Sequence, residues 1–367
     1  MRFIILILGI YSWIDWLPFI DQSSLVLFNQ FIILLFLVKL FLEFRGKFNK
    51  YVTNSFVLYF FLINISSFIN GVFPPYKLLI NLIIILLILS KEFSYSNFFF
   101  KGFIIGGAFT SIYMLLGNFD IINAIAISNL SHFTLGEYFL ENKETVISVG
   151  FTNKYNKISY LFSILFFLIL YRFKLKLLLK LVLGFLIIYL QILSTGRGGL
   201  LISLILLLYY LFTQHKPFFY LACIIFLFYF SISDLQISNL FPRFDFAEES
   251  FVSRFQQAEY AINEFDKNLF FGIGYATDNQ SLVVHNFFLN NLICGGLTGL
   301  ILSLYLVASL IKNIYRAEVF VHLKFFILLL LFFQITFENM NLVVALGSFL
   351  VFWFLFNDTK FKKNLNN

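Results

Sequence analysis

Long apolar stretches alternate with short polar ones from one end of the chain to the other. Most of these stretches are long enough to cross the ~30 Å hydrocarbon core of a bilayer as a helix. They predict about twelve transmembrane helices, near residues 3–20, 25–44, 54–70, 76–90, 98–118, 157–173, 176–193, 198–213, 217–233, 285–312, 320–337 and 340–357. The predicted fold class is therefore an all-α integral membrane protein, with one polytopic transmembrane domain over residues 1–367.

Two connections are much longer than the others, at residues 119–156 and 233–284. The second predicts an amphipathic helix on the membrane surface, because it contains an apolar stripe at alternating spacings of four and three residues. The stripe is formed by Phe251, Phe255, Ala258, Ile262 and Phe265. Long loops often carry the function of a membrane protein, so we expect the chemistry on their side.

The composition also indicates a protein that lies in a lipid bilayer. Of the 367 residues 60% are hydrophobic and 12% are charged, which is too little polar surface for a soluble protein of this length. The two cysteines, Cys223 and Cys294, lie in apolar segments, so neither a disulfide framework nor a zinc cluster is expected.

The first 20 residues combine a basic start with an apolar stretch, as a secretory signal does. However, Trp13, Asp15 and Trp16 stand where the small residues of a cleavage site would lie. We therefore expect residues 3–20 to form a retained first helix.

Basic residues indicate the orientation, because Lys and Arg are enriched on the cytoplasmic side of membranes. With the N-terminus inside, the inner segments carry 18 of the 26 basic residues, and the outer segments carry 15 of the 19 acidic residues. Both termini are then cytoplasmic, and both long loops are external. The net charge of +7 follows from this asymmetry, so it gives no reason to expect a nucleic-acid partner.

The first candidate site is the turn at residues 194–199, Ser-Thr-Gly-Arg-Gly-Gly, on the predicted external side. Glycines around Arg197 leave its guanidinium uncrowded and let a ligand approach the backbone. A guanidinium grips a phosphate through two parallel hydrogen bonds. An interfacial arginine that reaches toward lipid headgroups is the alternative. Because arginine is scarce on this side, we favour phosphate binding.

Two further arginines lie in the large external loop. Arg254 stands one residue from the apolar stripe, so it would project along the membrane surface at the height of lipid phosphates. Arg243 lies earlier in the same loop, in the sequence Phe-Pro-Arg-Phe. An ion pair with Glu248, Glu249 or Glu259 is the alternative for both arginines, and for Arg243 it is the stronger interpretation.

The third candidate combines Phe-Gly-Ile-Gly-Tyr at 271–275, His-Asn at 285–286 and Gly-Gly-Leu-Thr-Gly at 295–299. His285 would begin the tenth helix on the external side, where an imidazole accepts a proton from a sugar hydroxyl near neutral pH. A hydrogen-bonded interfacial histidine is the alternative. The two glycines of the first motif are not a dinucleotide fingerprint, because no strand and no third glycine accompany them.

In this order and on this side of the membrane, the motifs resemble the O-antigen ligase and Wzy polymerase superfamily. The resemblance covers roughly residues 150–300 in motifs and the whole chain in topology. The segment Gly-Phe-Thr-Asn at 150–153, with Tyr155 and Asn156, is similar to the asparagine-bearing entry to a helix in that family. The chain departs from the family pattern at Gly196, where the arginine motif usually has a serine.

The resemblance implies a metal-independent, cofactor-free, inverting glycosyltransferase with a GT-C-like fold, at the periplasmic face of the bacterial inner membrane. It implies donor and acceptor glycans linked to undecaprenyl diphosphate, and a chain-length regulator as a further partner. By this resemblance Arg197 and Arg254 hold the diphosphate, and His285 is the catalytic base. Candidate residues for binding diphosphate or glycan are Arg243, Asn153, Tyr155, Asn156, Tyr275 and Asn286.

Other functions stay open at this point. The ligase that transfers O-antigen to lipid A–core shares these motifs, although the short chain favours the polymerase. A flippase or other transporter also suits a dozen helices, but it would place ionisable residues near the bilayer midplane on broken helices. The candidates here cluster at one interface, and the external arginines argue against a purely structural subunit.

Overall fold

The computed structural model describes residues 2–14, 50–72, 96–118, 155–194, 196–221, 223–224, 256, 259, 263, 269–275, 286–316 and 319–337. Within these residues eight helices have defined bounds, residues 216–221 and 223–224 are also helical, and no strand forms. The helices are α1 (Arg2–Tyr11), α2 (Lys50–Ile69), α3 (Ser96–Asn118), α4 (Tyr155–Tyr171), α5 (Leu177–Leu193), α6 (Arg197–Gln214), α7 (Phe287–Arg316) and α8 (Val321–Phe337).

Three of the described stretches are long and apolar enough to cross a membrane: Asn97–Leu116, Arg197–Gln214 and Phe287–Arg316. The other described helices contribute shorter apolar stretches. Large apolar side chains such as Phe68 and Leu178 are exposed, as expected of a surface that meets hydrocarbon. These features agree with the all-α membrane protein that the sequence predicts.

The eight helices lie where eight of the predicted ones were placed, but two of them differ in shape. α1 ends at Tyr11 instead of near residue 20, because Trp13 and Ile14 make backbone hydrogen bonds to carbonyls only three residues back. The predicted helix at 285–312 contains a reversal, described below. The predicted helices at 25–44, 76–90 and 340–357, and most of 217–233, lie outside the described residues. The helix count and the GT-C-like arrangement stay predictions.

Chain contacts divide the protein into two units. The first comprises Met1–Arg45, Lys91–Leu207 and Gly347–Asn367, and the second comprises Gly46–Ser90 and Leu208–Leu346. The first unit therefore holds α1, α3, α4, α5 and most of α6, and the second holds α2, α7, α8 and the end of α6. A single transmembrane domain stays a prediction.

The described core of the first unit forms around Trp13, whose side chain is fully buried. Its ring centroid lies 5.0 Å from that of Phe103 in α3 and 5.0 Å from that of Phe162 in α4. Gly106 and Gly107 of α3 lie against the indole, where a Cβ would come within 2.8 and 2.9 Å of ring atoms. Trp13, just after α1, thus packs against both α3 and α4.

The helix directions in the first unit bring basic residues to one end. Arg2, at the start of α1, lies over the ring of Phe98, near the start of α3. Arg172, just after α4, donates to Asn97 Oδ1 at 2.6 Å. We call this end the basic end; its basic residues are Arg2, Lys101, Arg172, Lys174, Lys176 and Lys180. All six belong to the set that the sequence places in the cytoplasm, and that side stays a prediction.

In the second unit, α7 reverses direction at Gly296, which has φ 62° and ψ −155°. Asn291 before the reversal and Gly299 after it lie face to face, since a Cβ on Gly299 would meet the carbonyl oxygen of Asn291. In a straight helix these residues would lie about 12 Å apart along the axis. The predicted single span at 285–312 is therefore wrong in shape, because a glycine backbone permits a turn that hydropathy does not reveal.

The two segments of α7, 287–295 and 297–316, run in opposite directions along α2. In the first segment Asn291 contacts Tyr59, and Cys294, further along, contacts Ser66 near the end of α2. In the second segment, Ser309 Oγ lies 2.7 Å from Ser55 Oγ near the start of α2. The second segment has roughly 20 residues, about 30 Å of rise, so it is long enough to span the hydrocarbon alone.

α8 packs against the end of α6. The ring of Tyr209 stacks on Phe325 with the centroids 4.3 Å apart, and its hydroxyl lies 3.2 Å from His322 Nδ1. At the far end of α8, Thr336 accepts a hydrogen bond from Asn286, directly before α7. α8 thus contacts the start of α7 and the end of α6.

Candidate functional site

Side chains of two helices hold the turn between α5 and α6. Gln191 Nε2 donates to the Ser159 carbonyl at 2.9 Å and to the Ser163 hydroxyl at 3.1 Å. Ser159 Oγ donates to the Gly196 carbonyl at 2.6 Å, and Ser163 Oγ donates to the Gly199 carbonyl at 2.8 Å. All three polar side chains are fully buried. We call these contacts the side-chain seam.

Two glycines of this turn let α6 begin directly against α4. A Cβ on Gly199 would collide with the backbone of Ser159, and one on Gly198 would lie 2.9 Å from Tyr160 Cζ. The space beside these glycines is therefore occupied by a neighbouring helix. The sequence had suggested that it would receive a ligand.

Arg197 is the first residue of α6, and its side chain is half-buried. The backbone is fixed on both sides of it, because the Gly196 and Gly199 carbonyls accept hydrogen bonds from serines of α4. The guanidinium of Arg197 therefore extends from a backbone that is held in place, which suits bidentate binding of a phosphate. The phosphate contact itself stays a prediction.

The second unit brings together two glycine motifs that the sequence singled out, because residues 269–275 lie in the break of α7. Ile273 N donates to the Ile293 carbonyl at 2.9 Å, and Gly274 N donates to the Cys294 carbonyl at 3.0 Å. These carbonyls end the first segment of α7 and would otherwise lack helical partners. Ile273 also packs its side chain against Ile293.

The same loop caps the start of the second segment. Leu297 N donates to the Leu269 carbonyl at 2.8 Å, and Thr298 N donates to the Phe270 carbonyl at 3.3 Å. One loop thus satisfies a helix end and a helix start through backbone hydrogen bonds. We call these four hydrogen bonds the backbone seam.

Glycine is required on both sides of the backbone seam. Gly272 has φ 62°, and a Cβ there would meet the Ile293 carbonyl oxygen and lie 2.6 Å from Gly296 N. Gly296 also has φ 62°, and its Cβ would lie 2.5 Å from the backbone carbon of Phe270. Any other residue would combine an unfavourable backbone conformation with a collision against backbone atoms.

Two fully buried serines of α2 hold the outer edge of the seam. Ser66 Oγ lies 2.6 Å from the Phe271 carbonyl oxygen in the loop and 2.7 Å from the Cys294 carbonyl oxygen in α7, so its single proton can donate to either. Ser67 Oγ donates to the Tyr275 carbonyl at 3.0 Å. The loop is therefore fixed to α2 as well as to α7.

A buried polar cluster lies next to the seam. Asn291 Oδ1 accepts hydrogen bonds from the hydroxyls of Tyr59 at 2.5 Å and Tyr275 at 2.6 Å, and Asn291 Nδ2 donates to the Phe287 carbonyl at 2.7 Å. Burial raises the pKa of the Tyr275 phenol, so this hydroxyl stays neutral and donates. Its hydroxyl is engaged inside the protein, and the glycan contact expected of Tyr275 stays a prediction.

Asn286 caps α7. Its Oδ1 accepts from Phe288 N at 3.0 Å and from Leu289 N at 3.1 Å, which satisfies two otherwise unpaired amides of the first turn. Its Nδ2 donates to the Thr336 carbonyl at 3.3 Å. The sequence suggested glycan binding for this residue. In the structure its side chain caps α7 and binds the end of α8. His285 immediately precedes this cap.

The remaining predicted site residues fall largely beyond the described part of the chain. Arg243, Arg254, His285 and Asn153 lie outside it, and Tyr155 and Asn156 form the first two positions of α4. The apolar stripe of the predicted amphipathic helix also lies outside it. The described positions nearby, Gln256, Glu259 and Asn263, are helical and exposed. Among the described residues, no group of three His, Cys, Asp or Glu side chains could hold a metal ion.

Sequence inspection overlooked the residues that hold both seams. In the first unit these are Ser159, Ser163 and Gln191, and in the second they are Ser66 and Ser67, with Asn291 in the adjoining polar cluster. The two serines of α4 stand four residues apart in an apolar helix, which places them on one face. Small polar residues at helical spacing are a usable signal for close helix packing within a membrane.

No protein-family model and no curated protein matches this chain. The motif order and the geometry of the two seams are therefore the grounds for a functional assignment.

Proposed function

We propose that this protein is a membrane glycosyltransferase that polymerises lipid-linked repeat units of a surface polysaccharide, as Wzy-type O-antigen polymerases do. Donor and acceptor are oligosaccharides on undecaprenyl diphosphate, and a chain-length regulator is a further partner. The site faces the periplasm from the bacterial inner membrane, with both termini in the cytoplasm. The transfer is inverting and independent of metal ions.

One observation carries the proposal: the Phe-Gly-Ile-Gly loop packs into the helix that follows His285. Motifs about 20 residues apart in sequence form one backbone unit, and Asn286 caps its helix beside the proposed base. A general base must be held within hydrogen-bond reach of the hydroxyl that it deprotonates. A capped helix and a loop with fixed backbone groups support such placement.

In the proposed reaction, the bond between the anomeric carbon and the diphosphate oxygen breaks. A bond from the anomeric carbon to the acceptor hydroxyl oxygen forms on the opposite face. His285 takes the hydroxyl proton and later releases it to water. Arg197 and Arg254 hold the diphosphate and stabilise its charge as it leaves. Proposed contacts to glycan and diphosphate come from Arg243, Asn153, Tyr155, Asn156, Tyr275 and Asn286.

Purified full-length protein in nanodiscs, supplied with synthetic undecaprenyl-diphosphate repeat units, tests the proposal. We expect a polymer ladder that a chelator leaves unchanged. Because a general base contributes about 10²–10⁴-fold in rate, His285→Ala should slow the ladder by that factor, and His215→Ala should not. No polymer from the wild type would refute the polymerase, and an unchanged rate in His285→Ala would refute the base.

Arg197→Lys tests bidentate phosphate binding. It keeps the positive charge but loses the planar fork, so we expect roughly 10-fold or greater loss of kcat/KM, about 1.4 kcal/mol. Arg316→Lys, at the end of α7, is the matched control and should retain full activity. Wild-type kinetics in Arg197→Lys would show that its fork does not bind the diphosphate.

Transport is the second candidate function, because the reversal of α7 is a discontinuous helix of the kind that forms transporter sites. Here the loop 269–275 caps the freed carbonyls and amides. Ser66, Tyr59, Tyr275 and Asn291 surround the described reversal, and none of them carries a charge at neutral pH. Movement of a lipid-linked glycan across liposomes without polymer formation would favour the transporter.

A ligase remains an alternative within the same reaction class. Loss of a polymerase should leave lipopolysaccharide with a single repeat unit on its core, whereas loss of the ligase should leave no O-antigen at all. Lipopolysaccharide from a strain that lacks this protein therefore separates the two enzymes.

A further inference from the structure

The hydroxyl of Ser163 has two acceptors within reach but only one proton. Its oxygen lies 3.0 Å from the Ser159 carbonyl oxygen, one turn back in α4, and 2.8 Å from the Gly199 carbonyl oxygen in α6. A serine inside a helix often donates to the carbonyl four residues back in its own helix. That choice would take away the hydrogen bond between α4 and Gly199.

The side-chain amide of Gln191 decides between these two acceptors. Its Nε2 donates to the Ser159 carbonyl at 2.9 Å and to Ser163 Oγ at 3.1 Å. The carbonyl can only accept, so the end of the amide that faces it is the nitrogen. Because Gln191 already donates to the Ser159 carbonyl, the Ser163 proton is directed to Gly199 instead. A hydroxyl that accepts a hydrogen bond is also a stronger donor.

These contacts act on Arg197 through the backbone on both sides of it. Ser159 Oγ donates at 2.6 Å to the carbonyl of Gly196, directly before Arg197. Ser163 Oγ donates to the carbonyl of Gly199, two residues after Arg197. Gln191 therefore controls one of the two serine hydrogen bonds that fix the first turn of α6.

A glutamine at position 191 is not what stability alone would favour. Its side chain is fully buried, and its Oε1 has no hydrogen-bond partner among the described residues. A buried oxygen without a partner lowers stability. A leucine would avoid that loss, and the Ser159 carbonyl would keep Ser163 Oγ as a donor. Residues that are unfavourable for local stability are expected near functional sites.

We propose that Gln191 is a positioning residue for Arg197. By directing the Ser163 hydroxyl to α6, it fixes the turn from which the guanidinium reaches a lipid-linked diphosphate. Gln191 itself touches no substrate. The inference rests on the diphosphate contact proposed for Arg197, and it concerns binding of the diphosphate rather than the transfer step.

Binding of undecaprenyl diphosphate to the full-length protein in detergent micelles tests this role. Gln191→Leu should weaken binding about 5-fold, since the guanidinium loses its alignment with the diphosphate. The midpoint of thermal unfolding should stay within about 3 °C of the wild type, because removal of the unpartnered oxygen offsets the lost hydrogen bonds. Gln214→Leu makes the same change at the exposed far end of α6 and should bind like the wild type.

A double-mutant cycle with Arg197→Lys separates positioning from a purely structural role. Arg197→Lys alone should weaken binding roughly 10-fold, because the planar fork is lost. If Gln191 acts through that fork, adding Gln191→Leu should weaken binding by less than about 2-fold more. The same 5-fold loss in both backgrounds, or unchanged affinity in Gln191→Leu, would overturn the inference.

Ser163→Ala keeps the test valid if Gln191→Leu does not accumulate, because it removes the hydrogen bond to Gly199 and leaves Gln191 in place. It should weaken diphosphate binding by a similar factor, and wild-type affinity would overturn the inference.

Undecaprenol, which lacks the diphosphate, separates this inference from the proposed function. If the wild type binds undecaprenol as tightly as undecaprenyl diphosphate, the contact of Arg197 is refuted and the role of Gln191 with it. Diphosphate binding that depends on Gln191, without any polymer formation, would support the positioning role and refute the polymerase alone.

Discussion

Both seams pack glycines closely against another part of the chain, but they are held by different kinds of hydrogen bond. In the first unit, hydroxyl and amide side chains of Ser159, Ser163 and Gln191 hold the turn that carries Arg197. In the second, four backbone hydrogen bonds hold the loop 269–275 in the break of α7, and Ser66 and Ser67 fix the same loop to α2. The first should therefore depend on polar side chains and the second on backbone conformation.

Gly272→Ala should give the largest effect, because it adds a Cβ that meets the Ile293 carbonyl at a positive φ. We expect the free energy of unfolding to fall by at least about 3 kcal/mol, or the protein not to accumulate. Gly71→Ala is the matched control: its φ is 65°, but no atom lies within 4 Å of the added Cβ. It should cost about 1 kcal/mol. Unfolding in mixed micelles compares the two, and equal losses would refute the close approach at Gly272.

Asn291→Leu should come second, because it leaves the hydroxyls of Tyr59 and Tyr275 buried without their acceptor. Each such hydroxyl costs about 1–3 kcal/mol. Adding Tyr59→Phe and Tyr275→Phe removes those hydroxyls, so the triple variant should recover most of the loss. A triple variant no more stable than Asn291→Leu would show that packing, and not hydrogen bonding, decides this cluster.

Ser159→Ala should have the smallest effect on stability, about 0.5–1.5 kcal/mol, since one hydrogen bond to the Gly196 carbonyl is lost. Ser203→Ala is the matched control, because Ser203 is equally buried and its hydroxyl has no partner among the described residues. It should be neutral or slightly stabilising in the same unfolding measurement. A cost at Ser203 as large as that at Ser159 would contradict the side-chain seam.

Much of the helical fold could be predicted from the sequence, because apolar runs of membrane length leave few alternatives to a helix. The reversal of α7 could not. A hydropathy window averages over about 19 residues, so Gly295 and Gly296 disappear within a long apolar run. The loop 269–275, about 20 residues earlier in the chain, caps both sides of the reversal, and hydropathy contains no information about that partner.

The candidate site was likewise predictable from the sequence only in part. The glycine motifs were singled out at positions where the structure packs chain against chain, but for the turn around Arg197 the suggested reason was access for a ligand. The structure shows that Gly199 and Gly272 accommodate other parts of the chain. Tyr275 and Asn286 belong to these motifs and were expected to bind the substrate. Their observed hydrogen bonds go to Asn291 and Thr336, which the motifs do not identify.

Hydrogen–deuterium exchange at single-residue resolution across residues 269–275 tests the backbone seam most directly. An irregular loop normally exchanges its amides quickly, whereas this one donates Ile273 N and Gly274 N to the end of a helix segment. The account predicts exchange at these two amides as slow as at Leu297. Exchange at the rate of an unstructured peptide would show that the loop does not fill the break in α7, and would remove the main support for the proposed site.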